Sequence, residues 1–421
     1  MRNGNLGTSV GSRLYRSLLH TSLLAGSFVT VMGCTAAMEN GADGGGGGGG
    51  SGSGSGSGNA SGGWTKLPLI TDMFDPNSPV FHDEDLVADI YFEAPNKGFI
   101  VTQSAGHSRN SGGSVFAMTS SAVKSVVYGI GEAKWNFVGL ERTVDGYIAL
   151  TNVEMLVSSH DGGATFVGKE TSQHDAVKAL AMRSSSTGTT RVSEGVVAIT
   201  PDAAPGAGTV YEAVWAPQGS RPIPENPEPG DCTFGPSGAL PQTKARVYVS
   251  ADRGFIAYVA LDGTNQPTAC ISTNGGSSFK AHALSAPEHS EIPSGIVFAN
   301  QMTAIAWGRN TSAGAYINRT TNGGETWTQV PIPAPIASHD LDLPGGFFAP
   351  DGQHGWLVGV DHDAPNPGVL LATTDGGETW SSVPGVGAAV DALHGRSLYS
   401  GFAIDATHIW LGGDAGLLIH N

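Results

Sequence analysis

Positive charge is scarce in this chain: 21 Lys and Arg stand against 37 Asp and Glu, a net charge of −16. A surface of that sign repels phosphate, which argues against nucleic acid or anionic lipid as a partner. Long apolar runs are missing as well. The stretch from Leu23 to Met32 is too short for a permanent membrane helix, which takes about 20 apolar residues. Helical periodicity is nearly absent, because 62 Gly and 24 Pro interrupt the chain every few positions. Cysteine is rarer still, at three residues, and no stretch has the close His/Cys spacing of a dedicated zinc site.

What is present begins with an export signature. Arg2, Arg13 and Arg16 precede the apolar stretch, no acid occurs before Glu39, and the stretch ends in Val31-Met32-Gly33-Cys34. This resembles the lipobox of bacterial lipoproteins, which implies a signal peptide over residues 1–33 and acylation of Cys34. An ordinary secretory signal with a chance cysteine is the alternative. Residues 34–63 then form a tether, almost wholly Gly and Ser from Gly41 to Gly63. Such a chain has nothing to bury and spans about 25 Å root-mean-square as a coil. Removing residues 1–33 takes three arginines and no acid with it, leaving 18 Lys and Arg against 37 acids. The expected location is the cell envelope, anchored by lipid to a bacterial membrane, at the outer membrane or cell surface. With Cys34 acylated, Cys232 and Cys270 remain, and an even pair in an oxidising compartment reads as one disulfide, worth roughly 3–4 kcal/mol.

From Trp64 to Asn421 one pattern recurs, a glycine or stand-in followed by three apolar residues. Its copies start at Gly98, Gly146, Gly195, Gly254, Thr303, Gly355 and His408. The steps of 48, 49, 59, 49, 52 and 53 residues fit one four-stranded antiparallel sheet per repeat. Seven such sheets packed radially predict an all-β, seven-bladed β-propeller over residues 64–421.

A second repeat falls at fixed offsets after the first: Ser159-His-Asp161-Gly-Gly-Ala-Thr-Phe166, Ser272-Thr-Asn274-Gly-Gly-Ser-Ser-Phe279, Thr320-Thr-Asn322-Gly-Gly-Glu-Thr-Trp327 and Thr373-Thr-Asp375-Gly-Gly-Glu-Thr-Trp380. These resemble the Asp-boxes (BNR repeats) of sialidases and other propellers. The residue types suit a turn: Asp or Asn accepts from the turn amides and Gly supplies positive φ. The resemblance implies that the turns join third and fourth strands, away from a ligand-binding centre. Asp161, Asn274, Asn322 and Asp375 are therefore expected to be structural and not catalytic. The repeat style is most similar to the photosystem II stability and assembly factor type, whose blades pair a Gly-Trp-aliphatic strand with Thr-Thr-Asp-Gly-Gly-x-Thr-Trp. The resemblance covers the repeat unit and transfers no partner.

Each turn aromatic opens an outer strand, as in Trp327-Thr-Gln-Val-Pro and Trp380-Ser-Ser-Val-Pro, and Trp64-Thr-Lys-Leu-Pro68 has the same form. The last repeat ends without such a strand, so residues 64–68 are expected to supply it and remove an open edge. A Pro-rich insertion, Pro217 to Gln242, is read as a protruding loop pinned by Cys232.

The connectors into five of the seven inner strands share His and carboxylates: His82, Asp83 and Asp85; His174 and Asp175; His289 and Glu291; His339, Asp340 and Asp342; and, more loosely, His394 with Asp391. Converging on one rim, they could hold a polar ligand or a divalent cation; equally, each could cap its own loop. No other cofactor is implied. Sialidases offer an enzymatic alternative, yet the nearest thing to their Arg-Ile-Pro motif is Arg221-Pro-Ile-Pro224, mid-chain, and no catalytic acid pair can be nominated. The reading is a non-catalytic scaffold that binds an unknown protein or glycan, with a glycoside hydrolase as the alternative and the oligomeric state open.

Overall fold

The computed structural model describes residues 64–67, 86–103, 113–129, 137–142, 147–151, 155–159, 161–170, 176–187, 190–200, 209–216, 219–222, 247–249, 255–261, 266–274, 279–286, 291–310, 314–334, 336–365, 367–386, 397–414 and 418–420. All lie in one of the chain's two units, Ser57–Asn421. The signal, Cys34 and the tether lie outside the described residues.

Strand β1 (Thr65–Lys66) precedes seven repeats. The first holds β2 (Leu86–Ala94), β3 (Lys97–Gln103), β4 (Ser114–Thr119) and β5 (Ala122–Gly129). The second holds β6 (Phe137–Arg142), β7 (Tyr147–Thr151), β8 (Met155–Ser159) and β9 (Val167–Glu170). The third holds β10 (Ala176–Thr187), β11 (Thr190–Thr200), β12 (Thr209–Ala216) and β13 (Gly219–Pro222). The fourth holds β14 (Val247–Val249), β15 (Ile256–Leu261), β16 (Pro267–Ser272) and β17 (Lys280–Ala283). The fifth holds β18 (Glu291–Phe298), β19 (Ala304–Asn310), β20 (Gly314–Thr320) and β21 (Thr328–Val330). The sixth holds β22 (Leu341–Phe348), β23 (Gly355–Asp361), β24 (Gly368–Thr373) and β25 (Ser381–Ser382). The seventh holds β26 (Leu398–Ala403), β27 (Ile409–Gly413) and β28 (Leu418–His420). Each of the first six is a four-stranded antiparallel meander, and the seventh takes β1 as its fourth strand, Thr65 opposite His420 and Lys66 opposite Ile419. Among the described residues there are thus seven sheets that resemble propeller blades.

The glycine-apolar repeat is the second strand of each sheet. It is apolar on both faces because it is covered on both: β23 is buried throughout and β3 through its middle five residues. Outer strands such as β25, exposed along its length, need no such composition. Among the described residues, the apolar clusters bridge neighbouring sheets. Sheets four and five share Val259, Ile271, Phe298 and Trp327, five and six share Trp307, Ile317, Leu357 and Leu371, and one and two share Phe99, Val115, Tyr147 and Phe166. Inner strands of successive sheets touch, and β26 touches β2. The segment that carries β1 is a two-sided wedge. Trp64 packs with Val358 and Leu370 of the sixth sheet as well as Leu398 and Leu411 of the seventh, while Leu67 packs with Val87 and Ile90 of the first and Trp410 of the seventh.

Six inner strands carry a register shift against their second strand, which bends and twists them. In three of them the residue after the shift makes close contact with the next sheet. Asp89 there accepts the amide of Leu140 (2.7 Å), and Ser400 donates to the carbonyl of Val87 (2.9 Å). At Gly345 the carbonyl of Tyr399 would lie 2.7 Å from a Cβ, so only glycine fits.

The cysteines and the insertion bear on two expectations. Cys270, the one cysteine among the described residues, is buried in β16 and disulfide-bonded, and Cys232, its expected partner, lies outside them. The Pro-rich insertion is shorter than expected, because Gly219–Pro222 pairs with β12 as the outer strand of the third sheet.

Candidate functional site

Antiparallel connectivity gives the sheets two ends. First-to-second and third-to-fourth turns gather at one, here called the turn end. Connectors between sheets and second-to-third turns gather at the other, the rim.

At the turn end the four Ser/Thr-x-Asp/Asn motifs join third to fourth strands. Asp161 Oδ1 accepts from the Thr165 amide (2.9 Å) and the Ser159 hydroxyl (2.8 Å), and Ser159 Oγ accepts from the Gly163 amide (2.8 Å). Asp375 repeats the set with Thr379 (2.9 Å) and Thr373 (2.7 Å), as does Asn322 with Thr326 (3.0 Å) and Thr320 (2.8 Å). Asn274 accepts from Ser272 (2.9 Å). The bonds from Thr165 hold the Asp161 carboxyl down to about 2, so it is an anion with its lone pairs spent on the turn. Gly376 and Gly377 supply φ of 66° and 83°.

A second family of turns at this end escaped the sequence reading. Asn300 Oδ1 accepts the amides of Met302 and Thr303, Asp351 those of Gln353 and His354, and Asp405 those of Thr407 and His408. The signal was an Asp or Asn three residues before the stand-in position of the glycine repeat in sheets five and seven, and four before the glycine in sheet six. His354 and His408 fold back onto Asp351 (2.6 Å) and Asp405 (2.9 Å).

Also at the turn end lies a Tyr, Glu and Arg set. Tyr147 donates to Glu93 Oε2 (2.9 Å), Lys97 and Arg142 pair with Glu93 (2.8 and 3.2 Å), and the Arg142 guanidinium sits 5.1 Å from the Tyr147 ring centre. Tyr147 is fully buried. Burial first, then the Glu93 bond, pushes its phenol upward, while the bonds from Lys97 and Tyr147 hold Glu93 below the usual carboxylate range. A buried, protonated tyrosine and a weakly basic glutamate staple two sheets together and do not suit nucleophilic attack.

At the rim, His82, Asp83, Asp85, His174, Asp175, His289, Asp391 and His394 lie outside the described residues. Glu291 opens β18 opposite Asn310. His339, Asp340 and Asp342 are described, and the structure brings the first two together with residues the sequence did not nominate. His339 Nδ1 lies 2.7 Å from Asp361 Oδ2, and Asp340 pairs with Arg309 of the fifth sheet at 2.8 Å. The Asp340 amide donates to Asp363 Oδ2 (2.8 Å), and the Asp363 amide to Asp361 Oδ1 (3.0 Å). The hydrogen bond that the His339 ring donates to Asp361 raises the imidazole above its ordinary value. Asp342 lies half-buried opposite Val360. Burial and then the charges of Asp414 and Asp342 push the nearby Tyr399 phenol up. The overlooked signal was the polar residue closing second strands: Asn310, Asp361, Asp414.

This sector offers oriented carboxylates, an imidazole and a guanidinium, which suit binding of a polar or charged partner. Among the described residues no group of three or more His, Cys, Asp and Glu is placed to hold a metal ion. The carboxylates of Asp340, Asp361 and Asp363 are committed to protein donors.

No family model matches the chain. Over 57 residues, 14% of its length, it is 44% identical to the chloroplastic photosystem II stability/assembly factor HCF136 of Cyanidioschyzon merolae (strain NIES-3377 / 10D), and the match spans 11% of that protein. The structure is similar to that of YCF48 bound to a D1 peptide (TM-score 0.52, 12% identity, covering 85% of this chain and 95% of that one). It is similar also to the β-propeller domain of Cps50 (Swd1) from Myceliophteria thermophila (TM-score 0.50, 7% identity, 80% and 96%). At such identities the likeness speaks for the fold alone: this chain has a β-propeller fold.

Proposed function

We propose that this chain is a lipid-anchored, exported propeller of the Asp-box kind that closes into seven blades and acts as a non-catalytic scaffold, binding a polypeptide or glycan at its rim. The observation that carries the binding role is the division of labour between the ends. The Tyr, Glu and Arg set that could suggest chemistry is a staple at the turn end, its tyrosine fully buried and its glutamate already held by Lys97, Arg142 and Tyr147. The described rim instead presents half-exposed carboxylates, an imidazole and a guanidinium fixed by one another, a preorganised surface of the kind that recognises a partner. Closure is supported by the contact of β26 with β2 and by the two-sided wedge of the segment that carries β1. A polypeptide is the favoured ligand, since the similar propeller YCF48 is seen with a D1 peptide bound.

Anchoring rests on Cys34 and the glycine-serine tether, which place the protein in the cell envelope, at the outer membrane or cell surface. Labelled palmitate should enter the wild-type chain and not Cys34→Ala; equal labelling of both removes the anchor. For the rim, a benzophenone introduced at exposed His362 should cross-link a peptide or glycan ligand identified by array screening, and one at exposed Thr407, on the turn end, should not. Equal yields from both positions would overturn the assignment. Hydrolysis of a fluorogenic sialoside or glucan by the purified chain would replace the scaffold with a glycosidase.

A further inference from the structure

We propose that the connector entering the sixth sheet is a proton-operated clamp, in which charged His339 locks the connector against the second-to-third turn of that sheet and neutral His339 frees it.

The connector leaves the fifth sheet at Val330 and ends at Leu341. Its middle is fixed by buried Ile336, and the amide of His339 closes one turn on the carbonyl of Ile336 (3.0 Å). Past that turn, everything holding it is polar. On the sixth sheet, the Asp361–Asp363 turn receives the His339 ring (2.7 Å) and the Asp340 amide (2.8 Å), and the His362 amide returns a bond to the Asp340 carbonyl (3.0 Å). On the fifth sheet, Arg309 takes the Asp340 carboxylate, and Gly314 leaves room for the His339 carbonyl, which would lie 2.7 Å from any Cβ there.

Losing the charge on the histidine doubles the cluster's excess of negative charge. Facing one another are Arg309 from β19, His339 and Asp340 from the connector, and Asp361 and Asp363 from the turn, with His362 exposed beside them and Asp342 one residue into β22. Arg309 and protonated His339 oppose three carboxylates of the clamp. When His339 is neutral, Arg309 alone opposes them, and Asp361, whose side chain is only 6% exposed, keeps a hydrogen bond but loses its counter-charge. A carboxylate that deeply buried is costly without one. Moving the turn outward relieves it, and that movement breaks the bonds to the Asp340 amide and carbonyl.

The other two described His–Asp pairs cannot work this way. His354 with Asp351 and His408 with Asp405 are three residues apart inside single turns, so their titration moves no segment against another. His339 and Asp361 are 22 residues apart and belong to separate segments. The sign follows from the raised value of His339: the lock is whole below about pH 6.5 and is lost as pH rises through the folded value.

The test needs no ligand, so it stands or fails apart from the scaffold reading. In the full chain, histidine side-chain NMR is recorded from pH 5.5 to 9 together with protection factors for the Asp340 and Asp363 amides. His339 should titrate above free histidine, and both amides should lose about two- to fivefold protection with the same midpoint. In Asp361→Asn the midpoint should fall back toward 6.5 and the step disappear; in His339→Gln protection should be low and flat. A step that persists in His339→Gln, or protection that stays constant while His339 titrates, overturns the clamp.

Discussion

The Asp-box turns and the rim sector of the sixth sheet are held by hydrogen bonds of different reach. At the turn end, Asp161, Asn322 and Asp375 bond residues two to four positions away. At the rim, Asp340 reaches Arg309 31 residues back and Asp363 23 residues on, and His339 reaches Asp361 across 22. Short-range bonds form with little loss of chain entropy and need no neighbour. Long-range ones exist only after two sheets have docked, so they report on packing and can respond to it. A turn that satisfies itself is a poor place for a ligand, while a rim assembled from several segments can shift when one of them is bound or titrated.

Both ends are minor beside the apolar seams, and the first way to break the comparison is to cut a seam. Trp64→Ala should cost about 3–5 kcal/mol in urea denaturation, since Trp64 fills the space between the sixth and seventh sheets. A smaller loss than any turn substitution would mean that the ends, and not the seams, carry the fold. Next in size is Gly345→Ala, expected to cost about 1–3 kcal/mol because the obstructing atom is a backbone carbonyl that cannot rotate aside; an unchanged melting curve would deny the close approach of the inner strands. Asp375→Ala should lose about 1–2 kcal/mol. Combined with Asp161→Ala the losses should add within about 0.5 kcal/mol, as separate turns demand. Arg309→Met and Asp340→Asn should each cost less than about 1 kcal/mol but fail to add, because they share one contact. Smallest is an acid effect: with Asp161 held down to about 2, its contribution is full above pH 4 and fades as pH falls toward 2. Asp161→Asn should flatten that part of the stability curve in a pH-dependent melt.

The same difference in reach decides what could be read in advance. The second strands were legible because a strand covered on both faces must be apolar without alternation, and Gly355-Trp-Leu-Val announces this in four letters. The turns were legible because Thr373, Asp375 and Gly377 carry their own partners. His339 and Asp340 were picked out by type, yet nothing in the chain nearby names Arg309 or Asp361, which arrive from other strands. The short turns at Asn300, Asp351 and Asp405 were legible in principle and were passed over because attention fell on the glycine that follows. Gly219–Pro222 was hidden by proline, which permits a strand at an edge where its missing amide is not needed.

The pairing of Thr65 with His420 sets an order of events. Strand β1, made before every other strand of the sheets, finds its seat finished only once β28 has been made, so the seventh sheet is completed after the other six. A chain crossing a membrane in extended form meets the same schedule on the far side. Folding of this protein should therefore end, and not begin, at its amino terminus.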